Sequence, residues 1–273
     1  MKRSPRMFLS LAITLLIAAP LAAVAEEIPR YAYDKHSFEL GAEISHRNYR
    51  EPGVMRDKGW MYGFNGSYAY HDRKMLKFEG IANFGEVDYS GSYSDGTPVN
   101  LYGIPDYMLE ARGLIGYDFP VWKTTVLTYF AGIGYRYLND DSHAFVGGYK
   151  REANYFYSPV GFTLMTNLGN DWSVGETAEL DIFWRGEQKS YLSNASPDLP
   201  DVSNSQHDGY GMRGSVSVEK KLSRISLKGT AFIRYWHIKD SDNEIREISG
   251  VTYRLWEPKN TSTEVGFVLG FKY

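Results

Sequence analysis

Two acidic residues spaced one apart, Glu86 and Asp88, are the side chains of this sequence that best suit acid–base chemistry. Paired carboxylates can act as general acid and general base in a hydrolytic reaction. Whether Glu86 and Asp88 are catalytic or are solvated loop acids stays open on spacing alone.

The remaining residue types offer little further chemistry. Histidine occurs at six scattered positions, none on a metal-binding spacing with a second histidine or carboxylate, so we predict no metal site. These positions are His36, His46, His71, His143, His207 and His237. The chain has no cysteine, which excludes disulfides, Cys-bound zinc, iron–sulfur clusters and a cysteine nucleophile. Glycine-rich nucleotide motifs are also absent, so we predict no cofactor, and the sequence favours a protein that is not an enzyme.

Composition narrows the class of protein. The chain has 30 basic and 33 acidic residues. It therefore lacks the excess of basic residues that would predict nucleic-acid binding. The mean hydropathy of −0.40 is too polar for a bundle of membrane helices. The 22 tyrosines, 14 phenylalanines and 27 glycines favour extended β structure instead.

The first 25 residues have the pattern of a secretory signal peptide. Lys2, Arg3 and Arg6 precede an apolar run over residues 7–19, and Ala23-Val24-Ala25 supplies small residues before a cleavage site. The apolar run is shorter than the roughly 20 residues that a spanning helix needs. We therefore predict a signal peptide over residues 1–25 and one mature domain over residues 26–273.

Most of the mature sequence alternates apolar and polar positions with period two, in about ten stretches. In the first stretch Phe38, Leu40 and Ile44 alternate with Glu39 and Glu43, which predicts strands whose two faces meet different environments. The last stretch places Phe267, Leu269, Phe271 and Tyr273 at every second position. This aromatic-ended strand looks like the C-terminal signal that the outer-membrane barrel assembly machinery recognises.

Connections between these stretches alternate between short turns and long polar segments. The long ones cover residues 50–59, 86–105, 139–152, 186–208 and 239–260. Short turns on one side and long loops on the other are typical of transmembrane β-barrels. We predict an all-β fold, a closed antiparallel up-and-down barrel of ten strands with five long external loops, in the outer membrane of a Gram-negative bacterium with both termini periplasmic. Twelve strands are the alternative if residues 245–256 form a hairpin in the wall; those residues could equally extend two strands above the membrane.

Alternation also assigns a set of charged side chains to the barrel interior. Small barrels have interiors that side chains fill, and buried charges must pair, so we predict a lumen closed by ion pairs, with a narrow pore as the alternative. The predicted lumen charges are Glu39, Glu43, Lys77, Glu79, Glu110, Arg112, Arg136, Glu179, Asp181, Arg185, Arg213, Glu219, Lys228, Arg234 and Glu264.

The sequence resembles the omptins, ten-stranded outer-membrane barrels. The resemblance is architectural over most of the mature chain, with local echoes at Ala131-Gly132, at residues 147–150 and at the acid pair Glu86 and Asp88. It implies strands that extend above the membrane and a protease site in an external cleft, with Glu86 and Asp88 as candidate catalytic residues. The Asp-x-His pair of the family is missing from the fourth external loop, which offers His207-Asp208 instead.

These observations predict a monomeric outer-membrane barrel that acts through its external loops in surface interaction or envelope integrity. The expected partners are outer-membrane lipid and lipopolysaccharide, the barrel assembly machinery and an unidentified extracellular ligand, with no nucleic acid. A narrow porin-like solute channel and an omptin-like outer-membrane protease are the alternatives.

Overall fold

The computed structural model describes residues 33–92, 96–248 and 250–273. The predicted signal peptide lies outside the described residues. The described ranges form thirteen strands and one short 3-10 helix, Leu192–Asn194. The strands are β1 (His36–Glu51), β2 (Met55–Asp72), β3 (Lys74–Ser92), β4 (Pro98–Trp122), β5 (Thr125–Asp141), β6 (Lys150–Gly169), β7 (Trp172–Ser190), β8 (Val202–Gln206), β9 (Gly209–Leu222), β10 (Ile225–Ile238), β11 (Glu244–Ile248), β12 (Val251–Leu255) and β13 (Asn260–Lys272).

Ten of these strands close into a ring. Each pairs antiparallel with the next in the order β1, β2, β3, β4, β5, β6, β7, β9, β10 and β13. The ring closes where β13 pairs with β1, with Lys272 opposite Glu39 and Thr261 opposite Arg50. The predicted closed antiparallel barrel of ten strands is confirmed.

The other three strands lie outside the ring at one end. Strand β8 pairs with the last part of β7, from Gly186 to Ser190. Strands β11 and β12 pair only with each other, Glu244 opposite Leu255. Residues 245–256 therefore form a hairpin, but one that stands beside the wall, and the twelve-strand alternative is wrong.

The two ends of the barrel differ in their connections. At one end, which we call the turn end, β2 and β3 are joined through Arg73, and β9 and β10 through Ser223. Both residues have positive φ, 58° each, as tight hairpin turns require. We call the opposite end the loop end. There the wall strands include much of the sequence predicted to form connections: β2 begins at Met55 and β4 at Pro98. Polar residues there still alternate between buried and exposed positions, so they extend the wall.

The outer wall carries a continuous apolar belt. Leu40 and Ile115 are each 66% exposed, Ile133 is 64% and Phe64 63%. Such a large exposed apolar surface is unusual for a protein surrounded by water and is typical of a wall that faces lipid. None of the described residues forms a helix long and apolar enough to span a membrane.

One wall strand changes its alternation at a β-bulge. Phe156 pairs with Arg185 and Tyr157 with Phe183, so Trp184 has no partner on β6. The extra residue reverses the alternation of β7 beyond this point: Gly186 and Gln188 are buried, whereas Trp184 and Arg185 are both exposed. The structure thus places Arg185 on the outer wall, contrary to the prediction that it faces the lumen.

Candidate functional site

Charged side chains from several strands meet in the middle of the lumen. Arg213 on β9 lies at their centre: its Nη1 is 2.6 Å from Glu110 Oε1 on β4, and its Nε is 2.7 Å from Asp181 Oδ2 on β7. Its Nη2 donates a hydrogen bond of 3.0 Å to the Tyr157 hydroxyl, which in turn donates to Glu110 at 2.7 Å. Arg213 on β9 therefore connects its own strand to β4, β6 and β7 through the interior.

A glycine makes this arrangement possible. A Cβ on Gly134 would lie only 2.3 Å from the Tyr157 ring, closer than any real contact. Gly134 on β5 therefore lets the Tyr157 ring lie flat against the neighbouring strand and reach Glu110 and Arg213 with its hydroxyl.

The ion pairs around Arg213 belong to a layer of charged side chains, which we call the charge layer. Two further arginines extend it to the strands that close the ring. Arg136 on β5 binds Glu264 on β13. Arg234 on β10 lies 2.8 Å from Glu43 on β1 and 3.4 Å from Glu264, and Asn83 on β3 donates to Glu43 at 2.6 Å. The closing strands β1 and β13 are thus held by ion pairs as well as by their backbone ladder.

The predicted lumen charges nearer the turn end form a second set of pairs. Every predicted lumen charge except Arg185 has an opposite charge within 4 Å in the structure. The pairs nearer the turn end are Lys77 with Glu79, Arg112 with Glu79 and Glu179, Lys228 with Glu39, and Lys272 with Glu219. The described interior therefore balances its charge locally, as burial requires.

An apolar layer, which alternation alone did not predict, fills the lumen on the loop-end side of these charges. It consists of Met108, Leu138, Ala153, Tyr155, Tyr157, Phe183, Trp236 and Ile238. The Trp236 ring connects the two layers, since the guanidinium groups of Arg136 and Arg213 lie 5.6 and 5.8 Å from it. Cations over an aromatic face are stabilised by the ring quadrupole.

At the turn end the lumen opens into a cavity of about 280 Å³. Tyr33, which precedes β1, lies at its wall. The Tyr33 ring stacks on His71 at 3.9 Å, and its hydroxyl lies 3.0 Å from Thr128 Oγ1 on β5. His71 is itself held by Asp118, 2.9 Å from its Nδ1. Tyr33 therefore covers part of the opening.

The loop end contains a buried cluster of acids, which we call the acid cluster: Glu51, Asp57, Asp106, Asp140 and Glu257. Two arginines lie among them. Arg151 on β6 approaches Glu51 at 3.0 Å, Asp140 at 3.2 Å and Asp57 at 3.3 Å, while Arg47 on β1 binds Asp106. Four of these carboxyl groups thus share two guanidinium groups, and Glu257 has no ion pair within 4.0 Å among the described residues.

The acid cluster contains more carboxyl groups than guanidinium groups, and this changes its protonation. Burial raises the pKa of Asp57 to about 8, against the attraction of Arg151, with the charge of Asp140 adding to the rise. Burial and the neighbouring carboxylate of Glu51 together raise the pKa of Glu257 to about 8. Near neutral pH the cluster therefore holds protons that ordinary carboxyl groups would have lost.

The candidate catalytic acids lie elsewhere. Glu86 and Asp88 flank the buried Val87 on β3, so both point to the outer wall. Asp88 accepts a hydrogen bond of 3.3 Å from the Gly103 backbone, and Glu86 lies opposite Trp60 and Pro105. The described structure brings no histidine to either acid, which leaves them as solvated surface acids.

Three histidines in the described ranges each pair with one aspartate. His143 lies 2.6 Å from Asp141, His207 lies 2.9 Å from Asp242, and the third pair is His71 with Asp118. Within the described residues no three histidine or acidic side chains are arranged to hold a metal ion.

Comparisons with known proteins identify the architecture. No family model and no curated protein matches the chain. Among solved structures, the outer membrane protease OmpT from Escherichia coli is similar at a TM-score of 0.53 and 10% identity, covering 88% of this chain and 96% of that chain. The toluene transporter TodX of Pseudomonas putida (TM-score 0.36, 9% identity, 88% and 90%) and Ail of Yersinia pestis (0.32, 10%, 88% and 99%) also match. The likeness to OmpT shows the fold, and the resemblance to the omptin barrel is confirmed for the architecture.

Proposed function

We propose that this chain is an integral outer-membrane barrel of a Gram-negative bacterium with a closed lumen, and that its loop end acts in surface interaction or envelope integrity. The apolar belt and the edgeless ring support membrane insertion, because only structures that satisfy all their backbone groups span a bilayer. On this proposal the turn end and both chain termini are periplasmic, and the loop end is external.

The main support for a closed lumen is that a layer of ion pairs and an apolar layer lie one above the other inside the barrel. Arg213 and Arg136 connect distant strands of the wall, and Arg234 connects the strands that close the ring, all through carboxylates that are almost fully buried. The apolar layer around Trp236 lies directly above them. A solute crossing the barrel would have to separate buried ion pairs, each of which is costly to break.

We expect the purified protein to show no steady conductance in planar bilayers, because these layers fill the lumen. As a control, the same sample is run on a gel before and after boiling. A shift in migration on boiling shows that the protein in the sample is a folded barrel. Large, stable single-channel steps from the folded protein would exclude a closed lumen and support the porin-like alternative.

The C-terminal strand supports a further part of the proposal. Phe267, Leu269 and Phe271 lie exposed on the outer face of β13, and Tyr273 follows the strand. We propose that these side chains form the signal that the barrel assembly machinery reads before the barrel closes. We also propose that the barrel is monomeric and that an extracellular ligand of unknown identity contacts the loop end.

A further inference from the structure

Three basic side chains stand on the outer wall of β1 and β2, on the loop-end side of the apolar belt. Arg50, Arg56 and Lys58 are exposed, whereas the residues between them, Glu51 and Asp57, are buried. None of the three has an acidic partner within 4.0 Å in the part of the chain that the structure describes. We call these three residues the basic rim.

The register of the two strands sets two of these cations against each other. Arg50 lies directly opposite Arg56. Side chains in such positions have Cβ atoms about 4.5–5.5 Å apart, and like charges there are destabilising. Arg56 donates from Nε to Asn48 Oδ1 at 2.6 Å, which fixes the guanidinium and leaves its terminal nitrogens available. An anion bridging Arg50 and Arg56 would remove the repulsion.

Neutral polar groups surround the basic rim at the same height. Across the strands β10, β13, β1, β2 and β3 the register gives two adjacent rows of residues. These rows are His237, Thr261, Arg50, Arg56 and Ser90, and then Tyr235, Thr263, Asn48, Lys58 and Asp88. Hydroxyl and amide groups next to cations are suited to bind sugar hydroxyls and phosphate oxygens.

The nearest carboxylates do not neutralise the rim. Asp88 lies opposite Lys58 on β3, but no ion pair within 4.0 Å joins them, and Asp88 accepts a hydrogen bond from Gly103 on the far side, on β4. Glu86 lies one row lower, opposite Trp60.

The apolar wall continues directly below the rows. Trp60 and Val265 begin it, and Ile44, Phe64 and Phe267 follow toward the turn end, all exposed. A ligand that spans both regions would carry phosphate and sugar groups on one part and long acyl chains on the other.

We propose that the basic rim binds the phosphate groups of an acylated, phosphorylated glycolipid in the outer leaflet. Arg50 and Arg56 bridge one phosphate, Lys58 adds a third cation, and the acyl chains pack on the wall below. Guanidinium groups suit this task because their planar donors match phosphate oxygens in pairs. This inference rests on the proposed function, since it requires the barrel to be inserted in a membrane.

Lipid binding to the folded barrel tests the proposal. Purified protein in a neutral detergent is titrated with bis-phosphorylated lipid A, with the same lipid after enzymatic removal of its phosphates, and with inorganic phosphate, and bound lipid is counted by native mass spectrometry. The variant combines Arg50→Gln, Arg56→Gln and Lys58→Gln. The control combines Arg246→Gln, Arg254→Gln and Lys259→Gln, which removes the same charge from the hairpin region of the loop end.

We expect the rim variant to bind bis-phosphorylated lipid A at least tenfold more weakly than the natural chain, and the control variant to bind it equally well. Dephosphorylated lipid should bind the natural chain as weakly as the intact lipid binds the rim variant. Equal binding by all three proteins, or by both lipids, would overturn the proposal. Full competition by millimolar inorganic phosphate would also overturn it, in favour of a simple anion site.

Gel migration before and after boiling distinguishes a failure of the proposed function from a failure of the basic rim to bind lipid. A natural chain that shows no folded barrel would contradict the proposed function itself. A folded barrel that binds no phosphorylated lipid would contradict only the role of the basic rim.

Discussion

Replacing Arg213 with methionine is expected to lower the free energy of unfolding by about 3–5 kcal/mol, the usual cost of breaking a buried ion pair by removing one partner. The Arg213 guanidinium serves Glu110, Asp181 and Glu179 at 2.6, 2.7 and 3.2 Å. These three carboxylates are at most 2% exposed, so water cannot replace the lost cation. Reversible urea unfolding in detergent micelles measures the change.

The matched control is Arg185→Met. Both arginines are predicted from alternation to face the lumen, but Arg185 is exposed on the outer wall and has no ion pair among the described residues. Its replacement should change the free energy of unfolding by no more than about 0.5 kcal/mol. Equal effects of the two substitutions would contradict the assigned positions.

A second substitution separates the loss of charge pairing from the loss of packing. If uncompensated carboxylates cause the destabilisation, then adding Glu110→Gln to Arg213→Met should recover part of the lost stability, because it removes one of the unpaired charges. If the double variant is less stable than Arg213→Met by the full cost of Glu110→Gln alone, the charge explanation fails.

Alkaline pH is expected to destabilise the loop end. The pKa values of Asp57 and Glu257 are raised to about 8, whereas the ordinary values of these groups are 3.8 and 4.5. Between about pH 5 and pH 8 the folded protein therefore keeps protons that the unfolded chain has released. Stability falls over this window by about 1.4 kcal/mol per pH unit for each group. The contribution is complete below the unfolded pKa values and is lost once the pH has passed 8.

The charged groups that face this pair come from several elements. They are Arg47, Tyr49 and Glu51 on β1, Asp106 on β4, Asp140 on β5 and Arg151 on β6. Only Arg47 and Arg151 are cations, and deprotonation of Asp57 and Glu257 adds two anions without a new partner. Backbone amides at the loop ends of β1 and β2 should therefore exchange hydrogen faster at pH 9 than at pH 6 after correction for the intrinsic rate.

The variant that tests this explanation combines Asp57→Asn with Glu257→Gln. It should show a weaker dependence of loop-end exchange on pH than the natural chain, because two of the three acids of the cluster with strongly raised pKa values no longer titrate; the third, Asp106, has a pKa raised by burial to about 7 and still does. Glu86→Gln is the control, since Glu86 is exposed on the outer wall, and it should behave like the natural chain. An unchanged pH dependence in the double variant would show that other groups control the loop end.

Period-two alternation was sufficient to predict the ring of strands and most of the interior charges. It succeeds because a barrel wall separates lipid from lumen at every second residue, so Glu43 and Ile44 must differ in polarity. It fails at Arg185, because one unpaired residue, Trp184, reverses the faces. A bulge leaves no clear signal in the sequence when both neighbouring residues are large.

The acid cluster escaped prediction for a different reason. Beyond the belt the outer wall faces water, so polar residues occupy both faces and alternation loses its contrast. Arg56 and Asp57 are both charged residues in a polar stretch of the sequence, although Asp57 is buried and Arg56 is exposed. The burial of Asp57 depends on Arg151, which comes from a distant strand, and local sequence patterns carry no information about such contacts. Glu86 and Asp88 were linked to an external cleft by the resemblance to the omptins and not by alternation, and the structure places both on the outer wall.

The pairing of β13 with β1 sets the order in which the protein can fold. The ring closes between the first and last strands of the chain, and contacts so distant in sequence form late because the whole chain must be ordered to bring them together. Until β13 is in place, β1 and β10 each expose an unpaired ladder, which lipid does not tolerate. Because β13 supplies the ladder partner of both β1 and β10, we expect a chain truncated before β13 to fail to form a closed barrel.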